Sequence, residues 1–166
     1  GGVRFCRSNM VPSWTGVDVD PDGIAACQAQ MPSARFAVVD AQPPLPFADA
    51  SFDLAFGISV LTHLAREDQR VWLAELRRVM RPGGVALLSV QGTSMSCLYR
   101  EDLSLVQATR RDGHVVIGRN PQLDATVPST AHYLDVRHSP EAAMALAGEQ
   151  FEVLDYVPAI AALQDL

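Results

Sequence analysis

"SWTGVDVDPDG", residues 13–23, is the stretch whose reading decides the fold. A short apolar run gives way to two acids within three residues, Asp18 and Asp20, and then to Pro21 and Gly23. This is the pattern of a strand that ends in a carboxylate and turns at once into a helix. Asp20 has the chemistry of an N-cap and Pro21 that of a first helical residue. The helix is expected to turn Ile24, Cys27 and Met31 inward and to stop at Pro32. With Asp20 explained as a cap, Asp18 is left as a strand-terminal acid with no structural duty.

The same alternation continues outward. "ARFAVVD" reads as the next strand, ending at Asp40, and "QPPLPFADAS", with its three prolines, as a loop. "FDLAFGI" is apolar on both faces, as a central parallel strand is. A helix is expected from about Arg66 to Met80. Its stripe is Trp72, Leu73, Leu76, Val79 and Met80, with Glu67, Arg70, Glu75 and Arg78 largely opposite. "RPGG" ends it and "VALLSV" is a buried strand. Residues 3–10 read as the remnant of a helix with Val3, Cys6 and Met10 on one side. From Gly92 to His138 the pattern becomes an irregular, polar insertion with two strand fragments, "HVVIG" and "AHYLDV". Ser139, Pro140 and Glu141 then open a helix ending near Gly148, and "QFEVLDYV" reads as a strand. The fold class is α/β, a Rossmann-like open and mostly parallel sheet with flanking helices, in one domain over residues 1–166.

Composition narrows the function classes. A chain of 166 residues with 48% hydrophobic content can bury a real core. A net charge of −6 with no basic cluster argues against nucleic acid. No apolar run reaches membrane-spanning length, so neither partner is expected. All thirteen basic residues are Arg, which points to a GC-rich, bacterial coding sequence. Cys6, Cys27 and Cys97 have no metal-ligand spacing, so no metal is expected, and the expected compartment is the reducing cytoplasm.

In open α/β sheets, ligands bind beyond the carboxyl ends of the strands. The special residues fall there: Asp18, Asp40, the Gly57–Ser59 segment, and Gln91 with Gly92. A carboxylate at such an end can accept bonds from both hydroxyls of a ribose, which suits Asp18. One strand further on it can accept from an adenine amino group, which suits Asp40. The plainer alternative for each is a solvated loop acid.

"TGVDVDPDGIAAC", "VVDAQPPLPFADASFDLAFGISVLTHL" and "WLAELRRVMRPGGVALLSVQG" resemble successive motifs of the class I S-adenosylmethionine-dependent methyltransferases. They are closest in kind to a group acting on small molecules, and the similarity spans nearly the whole chain. The resemblance implies S-adenosylmethionine as cofactor and a small-molecule acceptor. It assigns Asp18 to the ribose, Val19 to packing on the adenine, Asp40 and Ala41 to the adenine's amino and ring nitrogens, and Gly57 and Ser59 to the methionine part. His63, in "LTHL", is the best-placed candidate base for an oxygen acceptor, against the plainer reading of a capping histidine. His114, His132, His138, Tyr99 and Tyr133 lie in the less regular region with nothing to single one out. Trp14 and Trp72 are expected in the core.

Against the family pattern, the first strand with most of its glycine-rich loop is missing ahead of "GGVRFC", and the last strand is missing after "QDL". The expectation is therefore a weakly folded fragment with unpaired edges inside its sheet, given to self-association or to pairing with flanking segments. Two other readings remain. One is a degenerate methyltransferase-like domain that binds without turnover. The other is a nicotinamide dinucleotide domain, disfavoured because no G-x-G-x-x-G is present.

Overall fold

The computed structural model describes residues 3–7, 13–98, 102–119, 133–159 and 164–166. In chain order its elements are β1 (Val3–Arg7), β2 (Ser13–Asp18), α1 (Pro21–Gln30), β3 (Arg35–Val38), β4 (Phe52–Gly57), a 3-10 turn (Leu61–His63), α2 (Arg66–Val79), β5 (Met80–Leu88), α3 (Thr93–Leu98), α4 (Leu103–Asp112), β6 (His114–Arg119), β7 (Leu134–His138) and α5 (Pro140–Gly148). The main sheet has the order β3-β2-β1-β4-β5, and β6 pairs with β7 in a separate ribbon. β2 with β3 and β4 with β5 run parallel. The crossovers are α1 and α2, as a parallel sheet requires.

Residues 3–7 correct the expected helix remnant. β1 lies antiparallel between β2 and β4, with Val3 opposite both Val17 and Gly57. The period of two in Val3 and Phe5 and the free edges of two buried strands favour a ladder over an isolated helical turn. The expected unpaired edges inside the sheet are therefore absent at β2 and β4. Met10 lies outside the described residues. Trp14, expected in the core, is 41% exposed, and its ring meets Phe56 edge-on at 5.9 Å. Gly16 is required where it stands, because a Cβ there would lie 2.6 Å from the Phe36 ring across the β2–β3 ladder.

α1 begins as its sequence dictates. Asp20 accepts from the Asp22 amide at 3.0 Å and Pro21 opens the helix. Replacing Asp20 with Ala is expected to cost about 1 kcal/mol, read from the urea midpoint. Ile24 and Cys27 lie on the half-buried side of α1, none of whose residues is fully buried, and the inward turn is corrected only at Met31, which is exposed. The helix lies over the edge pair β2–β3.

The core lies between α2 and the sheet. Leu76, Val79 and Met80 pack with Val17, Phe52, Ala55 and Leu45, while Leu73 joins Leu61, Val90 and Leu146. α2 passes directly into β5 at Met80, so "RPGG" bends the start of a strand instead of forming a separate turn. Glu75 is buried, not on the solvated side. The proline loop wraps over that face: Glu75 Oε1 accepts from the Leu45 amide at 2.7 Å and pairs with Arg78. Arg78 also donates to the carbonyls of Leu45 and Phe47 and to Asp49. Trp72 is half-buried, donating Nε1–H to the Ala41 carbonyl at 3.3 Å.

The expected irregular insertion is more ordered than its composition suggested. Its described parts carry α3, α4 and the β6–β7 ribbon. Ser139 caps α5 by accepting from the Ala142 amide. "QFEVLDYV" forms no strand, and residues 152–157 run beside β5 without a ladder. A cavity of about 650 Å³ separates this segment from β5 and α5. At one end of it Asp165 bonds to Val90 and Leu166 to Val157, so the chain end is gripped from both sides.

Candidate functional site

The carboxyl ends of β2, β3, β4 and β5 gather the residues singled out in the sequence. Asp18 closes β2 opposite Val38 of β3, and the ladder runs on as the Val39 amide donates to the Asp18 carbonyl at 3.0 Å. Asp40 follows directly, so the two acids end adjacent parallel strands at one edge of the sheet. Asp18 is half-buried, and its Oδ1 accepts from the Asp20 amide at 3.1 Å. Oδ2 has no bond among the described residues. Asp40 is exposed, and Val19 and Ala41, which flank the pair, are half-buried. Two ionised carboxylates are acceptor-only groups. They suit a ligand that presents donors, and a ribose diol with an adenine amino group does so. The residues of this half of the site therefore fit the adenosine of S-adenosylmethionine. Gly1 and Gly2, which the sequence leaves open as either the tail of a glycine-rich loop or unrelated residues, lie outside the described residues.

The methionine side is arranged differently. Gly57 ends β4 between Val3 and Leu88 and is buried. Ser59 adopts a left-handed backbone, φ 56°, uncommon for a residue with a Cβ. A closed set of hydrogen bonds holds it. Its amide donates to Ser89 Oγ at 2.9 Å, Ser89 Oγ donates to Gln164 Oε1 at 2.6 Å, and Gln164 Nε2 donates back to Ser59 Oγ. The chain end therefore sits over Ser59. Asp165 anchors it, buried but satisfied by the hydroxyls of Ser94 and Tyr156 and by the Ala159 amide. Burial first, then the Asp165 bond and charge, pushes the Tyr156 pKa well up. Gly92 has to be glycine, since a Cβ would collide with the Asp165 carboxylate.

Three histidines lie around β7. His63 Nδ1 lies 2.8 Å from the Leu134 carbonyl, so it donates there and the neutral ring keeps Nε2 as a lone pair. The ring stacks on Tyr133 with centroids 4.3 Å apart. Burial, and then the negative charge of Asp18, pushes the Tyr133 pKa up, which places that ring within electrostatic reach of the candidate ribose acid. His138 is buried, with Nε2 3.1 Å from Gln69 Oε1, and its ring meets His114 edge-on at 5.1 Å. Burial first, then the charges of His114 and Arg66, holds the His138 pKa down to about 3. His132 and Tyr99 lie outside the described residues, and no His, Cys, Asp and Glu group that suits a metal occurs among the described ones.

Gln69 and Gln164 were missed by the sequence reading. Gln69 had a signal: it stands four residues before Leu73 and seven before Leu76, on the apolar stripe, where a polar side chain has to be paired. Gln164 had none, because its partners are at positions 59 and 89.

A family model described as "Methyltransferase domain" matches residues 2–88. The chain is 40% identical over 87 residues to a phthiotriol/phenolphthiotriol dimycocerosates methyltransferase of Mycobacterium leprae, covering 51% of this chain and 31% of that protein. It is 36% identical over 90 residues to a fatty-acid O-methyltransferase of Mycolicibacterium smegmatis, covering 52% of this chain and 32% of that one. The chain thus matches about a third of the length of these curated relatives. Among solved structures, a SAM-dependent methyltransferase from Methanosarcina mazei superposes with a TM-score of 0.62 at 22% identity, covering 86% of this chain and 70% of that one. The motifs, the strand-end acids, the sheet and the matched model converge: this chain belongs to the methyltransferase-domain family, with the fold of the S-adenosylmethionine-dependent enzymes.

Proposed function

We propose that the chain binds S-adenosylmethionine and serves methyl transfer to a small molecule. The observation that carries this reading is the placement of Asp18 and Asp40 on neighbouring parallel strands at one end of the sheet. When bound, S-adenosylmethionine supplies an electrophilic methyl group on sulfur. Asp18 would hold the ribose hydroxyls and Asp40 the adenine amino group, with Val19 and Ala41 against the base. Gly57 and Ser59 would border the methionine part. In-line displacement needs the acceptor held at near-attack distance, and an oxygen acceptor needs a base in reach. His63 is the proposed base, because its tautomer leaves Nε2 unprotonated. A His63→Ala variant that keeps its turnover removes that role.

The relatives' names support an oxygen on a lipid-like molecule, one of them carrying a triol and the other a fatty acid. A bacterial, cytoplasmic setting is part of the proposal and is checked by fractionation of the source cell. Calorimetric titration with S-adenosylhomocysteine and with a nicotinamide dinucleotide tests the cofactor. Saturable heat with the first and none with the second is the expected result, and the reverse ends the reading. One observation favours a second reading, binding without turnover: Gln164 already occupies the Ser59 side chain. Cofactor binding with no transfer of a labelled methyl group to any acceptor would select it.

A further inference from the structure

Among the described residues, the buried side-chain polar atoms without a partner are Thr62 Oγ1, Gln91 Oε1, Ser96 Oγ, His114 Nε2 and His138 Nδ1. Their elements meet around the end of β7. His138 ends β7 and pairs with His114 of β6. Its amide donates to the Gln91 carbonyl at 2.9 Å, and Gly92 bridges to it. Ser96 is one helical turn beyond Gly92, and the 3-10 turn that carries Thr62 packs on β7. Scattered unpaired atoms would be isolated faults, whereas five on elements that meet at one strand end make a single buried polar cluster.

The chemistry of an occupant follows from Gln69. Its Nε2 donates to the carbonyls of Leu61, at 2.7 Å, and Leu64, at 3.1 Å. Carbonyls only accept, so the amide orientation is fixed and Oε1 is the atom that meets His138. An amide oxygen cannot donate, so the proton of the His138 ring is on Nε2. Nδ1 is therefore a bare lone pair, buried and without a donor. The low pKa of the ring keeps it neutral, so it does not acquire a proton of its own near neutral pH. An occupant has to bring a donor to Nδ1. The amide of Gln91 and the hydroxyls of Thr62 and Ser96 can each donate or accept, so they accommodate the rest.

We propose that His138 Nδ1, held as an acceptor by Gln69, accepts a hydrogen bond from the hydroxyl of the molecule to be methylated and so orients it, and that this subsite selects alcohols over carboxylates. The proposal rests on the methyl-transfer reading and deepens it. An alcohol donates to Nδ1 and accepts from Gln91 or a hydroxyl. A carboxylate is acceptor-only and leaves Nδ1 facing another lone pair. Gln69 acts as a positioning residue, through the tautomer it imposes. Arg66 is within electrostatic reach of both rings but bonds to neither, and its charge favours a carboxylate.

The test uses binding, so it stands apart from turnover. The ¹⁵N-labelled chain is titrated with decan-1-ol and with decanoate, and the ring nitrogens of His138 are followed by NMR. Expected are an Nε2–H tautomer in the free protein, a shift of Nδ1 on adding the alcohol, and an alcohol affinity about tenfold or more above that of decanoate. Gln69→Leu should mix the tautomers, and both it and His138→Phe should erase the preference. An Nδ1–H tautomer, equal affinities, tighter decanoate binding that falls in Arg66→Ala, or a preference that survives His138→Phe each overturns the proposal. Binding of neither ligand overturns it as well. If either variant fails to fold, the tautomer and the two wild-type titrations decide. Alcohol binding in a chain that transfers no methyl group would sink the methyl-transfer reading and leave the subsite standing.

Discussion

Replacing Arg78 with Ala is expected to lower the unfolding free energy by about 2–4 kcal/mol, the range for a buried ion pair broken from one side, reduced because Arg78 is itself 30% exposed. The reason is what remains. Glu75 keeps a buried carboxylate with only the Leu45 amide to satisfy it. The carbonyls of Leu45 and Phe47 lose the donor that ties the proline loop to α2. The double variant Glu75→Met, Arg78→Met should be less damaging than the two single changes added together, by at least about 1 kcal/mol. Urea titrations of the four proteins give the comparison, and strict additivity would mean the pair is not coupled. The pH dependence has a definite sign. The Arg78 bond, helped by the Leu45 amide and opposed by burial, holds the Glu75 pKa below the usual carboxylate value. The folded chain therefore binds this proton less readily than the unfolded one. The resulting stability is complete above the unfolded value of about 4.3 and fades as pH falls through the folded one. Without Arg78, burial dominates and the carboxyl pKa rises, so the deficit of Arg78→Ala should shrink as the pH is taken below about 4.

Asp18→Ala should weaken binding of S-adenosylhomocysteine about tenfold to a hundredfold, the loss expected for one to two charge-assisted hydrogen bonds to a ribose. Asp40→Ala should cost less, because Asp40 is exposed and its bond competes with water. Asp20→Ala is the control: it removes the cap of the helix that follows and lowers stability, but leaves affinity unchanged. Calorimetry on the three variants reads all of this, and an unchanged affinity in Asp18→Ala would remove the carboxylate from the site. The turn bond from the Asp20 amide to Asp18 is lost in that variant too, so the urea midpoint is measured alongside to separate a local unfolding from a lost contact.

Local rules wrote much of this molecule into the sequence. Asp20–Pro21 and Ser139–Pro140 open helices by side-chain bonds and a fixed φ that act within three residues. The stripe on α2 and the apolar run of β4 carry the periods of their elements. The ends of β2 and β3 put Asp18 and Asp40 where a parallel sheet opens. The tertiary structure decided whatever depends on a distant partner. β1 is a strand because β2 and β4 offer it two edges, and 152–157 is none because no ladder reaches it. Glu75 is buried because the loop around Leu45 folds over it from thirty residues away. His138 stands out from the other histidines only when Gln69, sixty-nine residues earlier, fixes which of its nitrogens carries the proton. Caps and periodicities are properties of neighbours along the chain, whereas burial and protonation are set by neighbours in space.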